Sequence, residues 1–223
     1  MSSVSRILGG KPAGPHSQPW VVIVDSCRDC GGTLISRRHV LTAGHCVDKD
    51  IIGYTIRKVI LGDHNCNVDD GGEMSVLVKR IDIHPDYFVE ADAGFWDFAI
   101  LTLKKAVRFS STIIPACLPT DPAEDYVGRN VTASGWGLTK IGSSGHEHRN
   151  NGTLMSVDLK VKPMTECEKA KWLTDKMDQI ELPQEVKLIN DSFMMCVGTH
   201  DEYNVIWMGI HKGDSGGEYS NNQ

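Results

Sequence analysis

Short apolar runs separated by turn residues limit how this chain can fold more than any other feature of its sequence. The run Trp20–Val24 ends in an Asp-Ser turn, and Phe98–Leu103 is a second run rich in β-forming residues. From Leu154 to Val161 apolar and polar residues alternate, which is the period of a strand with one buried face. Shorter runs lie at Val76–Val78 and Ile81–Ile83, and 22 glycines and 9 prolines punctuate the chain. The pattern predicts an all-β fold of the sandwich or barrel type.

One segment has the sequence signature of a helix. Thr165 can cap a helix N-terminus, and Glu168 follows three residues later in the capping-box pattern. We therefore expect a short helix near residues 165–177. A Pro-containing segment begins near Arg108–Ile114, and we expect the boundary between two halves of the chain there.

Composition and charge argue against several classes of function. The 223 residues include 40% hydrophobic and 23% charged residues, which is ordinary for a folded soluble protein. No run approaches the roughly 20 apolar residues of a membrane helix, so we expect no membrane partner. The net charge is -6 and the pI about 5.8, which gives no reason to expect a nucleic-acid partner.

Cysteine usage indicates an oxidising compartment. There are seven cysteines, and no cluster of them has zinc-ligand spacing. Cys27 and Cys30 have the C-x-x-C spacing of redox and metal motifs, so a cytosolic redox protein stays an alternative. Sequons at Asn130, Asn151 and Asn190 agree with a secreted glycoprotein. The first residues form no apolar segment, so we expect a secreted protein whose signal peptide is not present in this chain.

Three short motifs carry the residue types of a nucleophilic active site. They are Leu41-Thr42-Ala43-Gly44-His45-Cys46, Trp96-Asp97-Phe98-Ala99-Ile100-Leu101 and Gly213-Asp214-Ser215-Gly216-Gly217. Each motif on its own would most often be structural, but the three in this order rarely occur together by chance. A serine hydroxyl is a poor nucleophile at neutral pH and needs a nearby histidine to accept its proton. The motifs therefore indicate a serine that is activated by a histidine and an aspartate.

With these motifs, the chain from about Arg6 to Gly217 resembles the chymotrypsin/trypsin family of serine proteases. The resemblance implies a protease domain at residues 7–223 with two antiparallel β-barrels, one at about residues 20–108 and one at about 113–223. It implies a secreted serine endopeptidase that hydrolyses peptide bonds through an acyl-enzyme and requires no cofactor. Protein or peptide substrates, an activating protease and protein inhibitors are the partners that such an enzyme would have.

The resemblance also assigns a role to each reactive residue. Ser215 would be the nucleophile, His45 the general base and acid, and Asp97 the carboxylate that orients the histidine, as in the mechanism established for the family. The backbone amides of Gly213 and Ser215 would form the oxyanion hole. The glycines around Ser215 let the backbone turn tightly enough for both amides to face one point.

A fourth motif, Arg6-Ile7-Leu8-Gly9-Gly10, looks like the activation site of the family. Residues 1–6 would then be a propeptide stub that is removed by cleavage after Arg6. The new ammonium group of Ile7 would bind the Asp214 carboxylate, because a buried carboxylate needs a partner. One cut would thereby order the loop that forms the oxyanion hole.

The resemblance implies two disulfides, Cys30–Cys46 and Cys167–Cys196. Cys27 and Cys66 lie on loops that are neighbours on one rim of the family fold, and neither has a family partner. We predict that they form a bridge of their own, with a free thiol on each loop as the alternative. Cys117 is then left without a partner.

The stretch Asp63–Glu73 resembles the calcium loop of trypsins. Its candidate ligands are carboxylates and backbone carbonyls, at Asp63, Asn65, Val68, Asp70 and Glu73. Oxygen ligands of this kind suit a hard cation. We therefore treat the loop as a candidate structural Ca²⁺ site, with an acidic, solvated loop as the alternative.

Two departures from the family concern specificity and the chain end. Gly209, six residues before the nucleophile, stands where the family sets the floor of the specificity pocket. With no aspartate there, cleavage after Arg or Lys is disfavoured. Only 8 residues follow Ser215, whereas family members continue for several tens more. The resemblance thus implies a truncated chain, an incomplete second barrel and no useful protease activity of the chain as written.

The leading interpretation is a serine endopeptidase by descent. The alternative is a catalytically inactive, truncated protease homologue that acts by binding, or an incomplete gene model.

Overall fold

The computed structural model describes residues 10–26, 30–90, 93–121, 126–137, 151–168 and 195–198, and the backbone of strand segments at 140–141, 147–148, 206–207 and 219–221. Two short helices are present in these segments, α1 (Lys49–Ile52) and α2 (Met164–Cys167). The strands are β1 (Lys11–Pro12), β2 (Val21–Val24), β3 (Cys30–Leu34), β4 (His39–Thr42), β5 (Lys58–Leu61), β6 (Met74–Ile83), β7 (Phe88–Glu90), β8 (Ala93–Phe95), β9 (Ala99–Leu103), β10 (Asn130–Gly135), β11 (Lys140–Ile141), β12 (Glu147–His148), β13 (Met155–Val161), β14 (Cys196–Gly198), β15 (Ile206–Trp207) and β16 (Tyr219–Asn221).

Six antiparallel strands close into a barrel in the order β2-β3-β4-β9-β6-β5. Along β9 the side chains alternate between the interior and the outside, with Leu101 and Leu103 fully buried and Ile100 exposed. This is the period expected of a barrel strand. The interior is filled by branched side chains that suit a pleated, curved surface, among them Val22, Val24, Leu34, Val40, Val59 and Leu61.

β6 differs from the sequence expectation of two short strands. It is one ten-residue strand, Met74–Ile83, whose register against β9 shifts between Val78 and Arg80. The irregularity allows the first half of β6 to pair with β5 and the second half with β9. The two apolar runs are therefore the two halves of a single bent strand.

The second group of strands forms a sheet in the order β15-β14-β13-β10-β16, with β1 paired to β13. Its buried face carries Val131, Met155, Val157, Leu159, Val161 and Val197. A further apolar cluster joins β2 to this half of the molecule through Val21, Ile23, Trp136 and Leu154. β2 is thus buried on both faces, which explains its uninterrupted Val-Val-Ile-Val sequence.

The helix expected near residues 165–177 begins earlier than its sequence suggested. α2 starts at Met164, and its N-cap is Pro163, which makes no side-chain cap hydrogen bond. The expectation that Thr165 caps the helix is therefore wrong, because the helix already begins at Met164 and Thr165 lies within its first turn. Residues 169–177 lie outside the described residues. In the described segments, no helix has the length and apolar character needed to cross a membrane.

Candidate active site

His45 lies in a tight turn that follows β4. The amides of Val47 and Asp48 both donate to the Gly44 carbonyl, at 3.0 and 2.9 Å, and fix the turn. A disulfide between Cys46 and Cys30 ties the same turn to β3, with the Cα atoms 5.9 Å apart. The residue that carries the imidazole is therefore held from two sides.

Asp97 lies just before β9, next to this turn. Thr42 at the end of β4 pairs with Ala99 at the start of β9, so the residues just beyond both strand ends emerge at the same end of the barrel. The Nδ1 atom of His45 lies 2.7 Å from Oδ2 of Asp97, and the His45 backbone amide donates to Oδ1 at 2.8 Å. The side chains are only 13% and 7% exposed, respectively. One buried carboxylate thus holds both the backbone and the ring of His45.

This geometry fixes the tautomer of the imidazole. An ionised carboxylate can only accept hydrogen bonds, so Nδ1 carries the proton that lies between the two groups. In the neutral ring Nε2 is then unprotonated and can act as a base. The nearest described contact of Nε2 is Sγ of Cys46 at 3.6 Å, which belongs to a disulfide and competes weakly for a proton.

The residues around Nε2 of His45 are of types that often bind metal ions, but here their sulfur atoms cannot act as ligands. The ligand atoms of Cys30, His45 and Cys46 lie within 4.8 Å of one another. Both sulfurs are oxidised in one disulfide, whereas metal binding requires thiolates. The arrangement therefore positions a histidine and does not hold a metal ion.

Tyr87 borders the pair, a contact that the sequence analysis did not identify. A Cβ atom on Gly44 would lie 3.0 Å from the Tyr87 ring and 3.2 Å from Oδ1 of Asp97, so the glycine lets the ring come close to the carboxylate. The buried Tyr87 hydroxyl has no hydrogen-bond partner among the described residues. Burial first, and then the charges of Asp97 and Asp48, raise the pKa of Tyr87. Tyr87 therefore stays neutral and shields one side of Asp97 from water.

Comparison with known proteins identifies the family to which this chain belongs. The family model described as Trypsin matches residues 7–223. The chain belongs to the trypsin family of serine-type endopeptidases. Its strands, with a closed six-stranded barrel, confirm the expected all-β, trypsin-like fold, which also has close structural counterparts.

Several known proteins are similar over most of this chain. Serine protease SSP1 of Scolopendra subspinipes is 30% identical over 97% of this chain and 68% of its own length. Ovochymase-2 of Mus musculus is 32% identical over 75% of this chain but 27% of its own length. Venom serine protease Bi-VSP of Bombus ignitus is 34% identical over 74% of this chain and 47% of its own length. The chain thus spans only part of these relatives.

A solved structure of neuropsin, a serine protease expressed in the limbic system of mouse brain, superposes with a TM-score of 0.71. The two sequences are 25% identical, and the match covers 97% of this chain and 83% of neuropsin.

The disulfides among the described residues are those that the family resemblance implies, Cys30–Cys46 and Cys167–Cys196. Since Cys30 is bonded to Cys46, the C-x-x-C motif does not form a redox pair, and the redox interpretation is wrong. Cys66 is also disulfide-bonded, and Cys27 lies outside the described part of the chain. The Cys27–Cys66 bridge stays a prediction. Cys117 is a free, exposed thiol.

The candidate calcium loop concentrates negative charge around a half-buried carboxyl group. Burial, and then the carboxylates of Glu73, Asp70 and Asp69, raise the pKa of Asp63 from 3.8 to about 7. The Oδ1 atom of Asp63 is buried and has no described hydrogen-bond partner. An orphaned carboxyl oxygen among carboxylates fits a hard cation, for which Asp63, Asp70 and Glu73 would supply charge. The oxygens of these three residues are not gathered within 4.8 Å of one another, so a bound ion would have to draw them together.

The remaining site residues of the sequence analysis lie outside the described residues. They are Ser215, Gly213 and Asp214 of the nucleophile motif, Gly209 of the specificity pocket, Arg6 and Ile7 of the activation site, and Cys27.

Proposed function

We propose that this chain is a secreted serine endopeptidase that cleaves peptide bonds through an acyl-enzyme on Ser215. His45 is the general base and acid, and Asp97 orients it. The observation that supports this most directly is the double hydrogen bond from His45 to the buried Asp97 carboxylate. Membership of the trypsin family supplies the reaction type.

The reaction begins when Oγ of Ser215 attacks the carbonyl carbon of the scissile peptide while Nε2 of His45 takes its proton. The negative oxygen that forms is stabilised by the amides of Gly213 and Ser215. Nε2 then gives the proton to the leaving amine, which frees the new N-terminus and leaves the acyl-enzyme. A water molecule, deprotonated by the same nitrogen, hydrolyses the ester and restores Ser215.

Asp97 contributes through position and charge. Its two oxygens engage two separate donors of one residue, so the ring cannot rotate without breaking the bond at Nδ1. When Nε2 accepts a proton, the imidazolium lies against a carboxylate that is only 7% exposed, where solvent screens the attraction weakly. The barrier for proton transfer is lowered because this stabilisation is already in place before reaction.

Activation and location complete the proposal. Cleavage after Arg6 frees Ile7, whose ammonium pairs with Asp214 and orders the oxyanion loop. Two disulfides and the venom origin stated in the name of one relative support an extracellular site of action. Protein or peptide substrates, an activating protease and protein inhibitors are its partners. Gly209 offers no carboxylate to a basic side chain, so we expect no preference for cleavage after Arg or Lys.

The experiment is fluorophosphonate labelling of the full-length protein after it has been cut to give a free Ile7. The probe phosphonylates only an activated serine, with fluoride as the leaving group, so label should appear on Ser215 and vanish in Ser215→Ala and His45→Ala. Label that persists in Ser215→Ala would show that the nucleophile is assigned wrongly. A chain that unfolds cooperatively but takes no label would favour the non-catalytic homologue that acts by binding.

A further inference from the structure

One wall of the first barrel carries a cluster of basic side chains far from the catalytic pair. Its eight members are all exposed, and we call them the basic belt: Arg37, Arg38, Arg57, Lys58, Lys79, Lys104, Lys105 and Arg108. They make up about a third of the 23 Lys and Arg residues in a chain whose net charge is -6. The charge of this wall is therefore opposite to that of the molecule as a whole.

Backbone contacts show that the members of the basic belt are neighbours. The Leu103 amide donates to the Arg38 carbonyl at 2.8 Å, and the Lys104 amide to the Leu77 carbonyl at 2.8 Å. Leu77 in turn pairs with Lys58 across β6 and β5. The belt thus crosses β4, β9, β6 and β5, four adjacent strands of the barrel. With strands about 4.8 Å apart, it extends for roughly 15 Å around the wall.

The positive charge of the belt is not neutralised within the described part of the molecule. None of its eight cationic groups forms an ion pair there, and the neighbouring Asp82 on β6 is bonded instead to Arg80, at 2.8 Å. A group of like charges without counter-ions raises the local potential and attracts polyanions.

The belt is separated from the catalytic pair along the same strands. Arg38 precedes β4 and Lys104 follows β9, whereas His45 and Asp97 lie at the opposite ends of those strands. A ligand on the belt would leave the face with His45 open.

We propose that the basic belt is a binding surface for a sulfated linear polysaccharide. The charges follow a curved wall, which a flexible chain can track, whereas a planar membrane or a stiff duplex would touch only its crest. Single-stranded nucleic acid is the weaker candidate because it needs aromatic platforms for its bases. The ring beside the belt, Phe109, is covered by the guanidinium of Arg37 at 4.6 Å. Sulfate groups need only cations, which the belt supplies.

The test is calorimetry with heparin at about 0.1 M ionic strength, where surface charges still act over roughly 10 Å. Lys58→Gln/Lys104→Gln/Lys105→Gln should weaken binding at least tenfold. The matched control, Lys11→Gln/Lys49→Gln/Lys160→Gln, makes the same change in net charge elsewhere and should change it less than twofold. For the unaltered chain, affinity should fall by about 10- to 100-fold between 50 and 200 mM salt because bound counter-ions are released.

Several results would overturn the proposal. They are no binding to heparin, equal binding to desulfated heparin, an equal effect of the two triple variants, or tighter binding to single-stranded DNA or to phosphatidylserine vesicles than to heparin. If the first triple variant melts early, Lys79→Gln/Lys105→Gln takes its place, since neither side chain makes a described hydrogen bond. This pair should weaken heparin binding about three- to tenfold, and no change would count against the belt.

Discussion

Trp96, the residue before Asp97, lies stacked on His84 with ring centroids 5.0 Å apart and an angle of 10° between the ring planes. Its backbone φ is 52°, in the left-handed region that a residue with a side chain enters at a cost of about 1–2 kcal/mol. The Trp96 carbonyl accepts from the Phe98 amide at 2.7 Å, and the Phe98 carbonyl accepts from the His84 amide at 2.9 Å. The stack therefore pins the strained segment that presents the Asp97 carboxylate.

The strain at Trp96 predicts an unusual order of stability. Asparagine tolerates a positive φ, whereas a β-branched residue does not, so Trp96→Val should be less stable than Trp96→Asn by about 1–2 kcal/mol. Apolar burial alone would predict the opposite order. Urea unfolding of both variants measures the difference. A valine variant at least as stable as the asparagine variant would mean that the left-handed backbone is not maintained.

The sequence indicates His45 and Asp97 as candidate site residues because each lies in a local motif, and proton transfer allows few other residue types. It does not predict the neighbours that hold them. Tyr87 reaches Gly44 only because the chain after β6 returns over the turn that follows β4, and no local pattern records that path. Trp96 gives no signal either, since a positive φ at tryptophan runs against its intrinsic preference.

The same contrast explains the errors at secondary-structure boundaries. Thr165 and Glu168 satisfy a capping rule, but the helix begins at Met164, directly after Pro163, so that Thr165 is already inside it. The two apolar runs of β6 look separate because Lys79 and Arg80 interrupt them, whereas a shift of register carries the strand through both. Local sequence rules evaluate each motif separately, whereas tertiary contacts determine where a helix or strand begins and ends.

Replacing Asp97 with Asn should reverse the tautomer of His45. If the amide oxygen keeps the bond to the His45 amide, the amide nitrogen faces Nδ1 and donates to it. The ring proton then moves to Nε2, which can no longer accept one. We expect the rate of Ser215 acylation to fall by about 10⁴-fold, the size known for this replacement in another family member. Labelling kinetics check this, and a loss under tenfold would contradict the proposed role of Asp97.

The Cys27–Cys66 bridge can be tested by peptide mapping of the non-reduced protein. Cys66 is already disulfide-bonded, and its amide donates to the Gly152 carbonyl at 3.0 Å, which anchors the loop. We expect a linked pair of peptides that separates on reduction. Because the bridge closes a loop of about 40 residues, Cys27→Ser/Cys66→Ser should lower the free energy of unfolding by about 3–4 kcal/mol. Cys27 bonded to any other residue would disprove the pairing.

The raised pKa of Asp63 predicts that stability falls as the pH rises. The folded state binds this proton more tightly than the unfolded state, whose pKa is the ordinary 3.8. The stabilisation is complete below pH 3.8 and is lost as the pH passes through about 7. His64 has the opposite effect on stability. Burial lowers its pKa, so the free energy of unfolding falls as the pH decreases below 6.5. In calcium-free buffer, the free energy of unfolding of the unaltered chain should therefore fall between pH 5 and about 8, whereas that of Asp63→Asn should not. Parallel pH profiles for both proteins would contradict the assignment.

Calcium should offset the loss of stability that ionisation of Asp63 causes as the pH rises. At pH 8 the ionised Asp63, Asp70 and Glu73 repel one another, and a divalent cation replaces that repulsion with attraction. We expect Ca²⁺ to raise the melting temperature at pH 8 and to do so less at pH 6, where Asp63 is largely protonated and must first release its proton. Calorimetry in buffers of different ionisation enthalpy measures that proton release.

Asp63→Asn and Asp70→Asn should each abolish the response to Ca²⁺, whereas Asp50→Asn, which removes an exposed carboxylate on α1, should preserve it. Binding weaker than millimolar at pH 8, or a response unchanged in Asp63→Asn, would leave the segment an acidic, solvated loop.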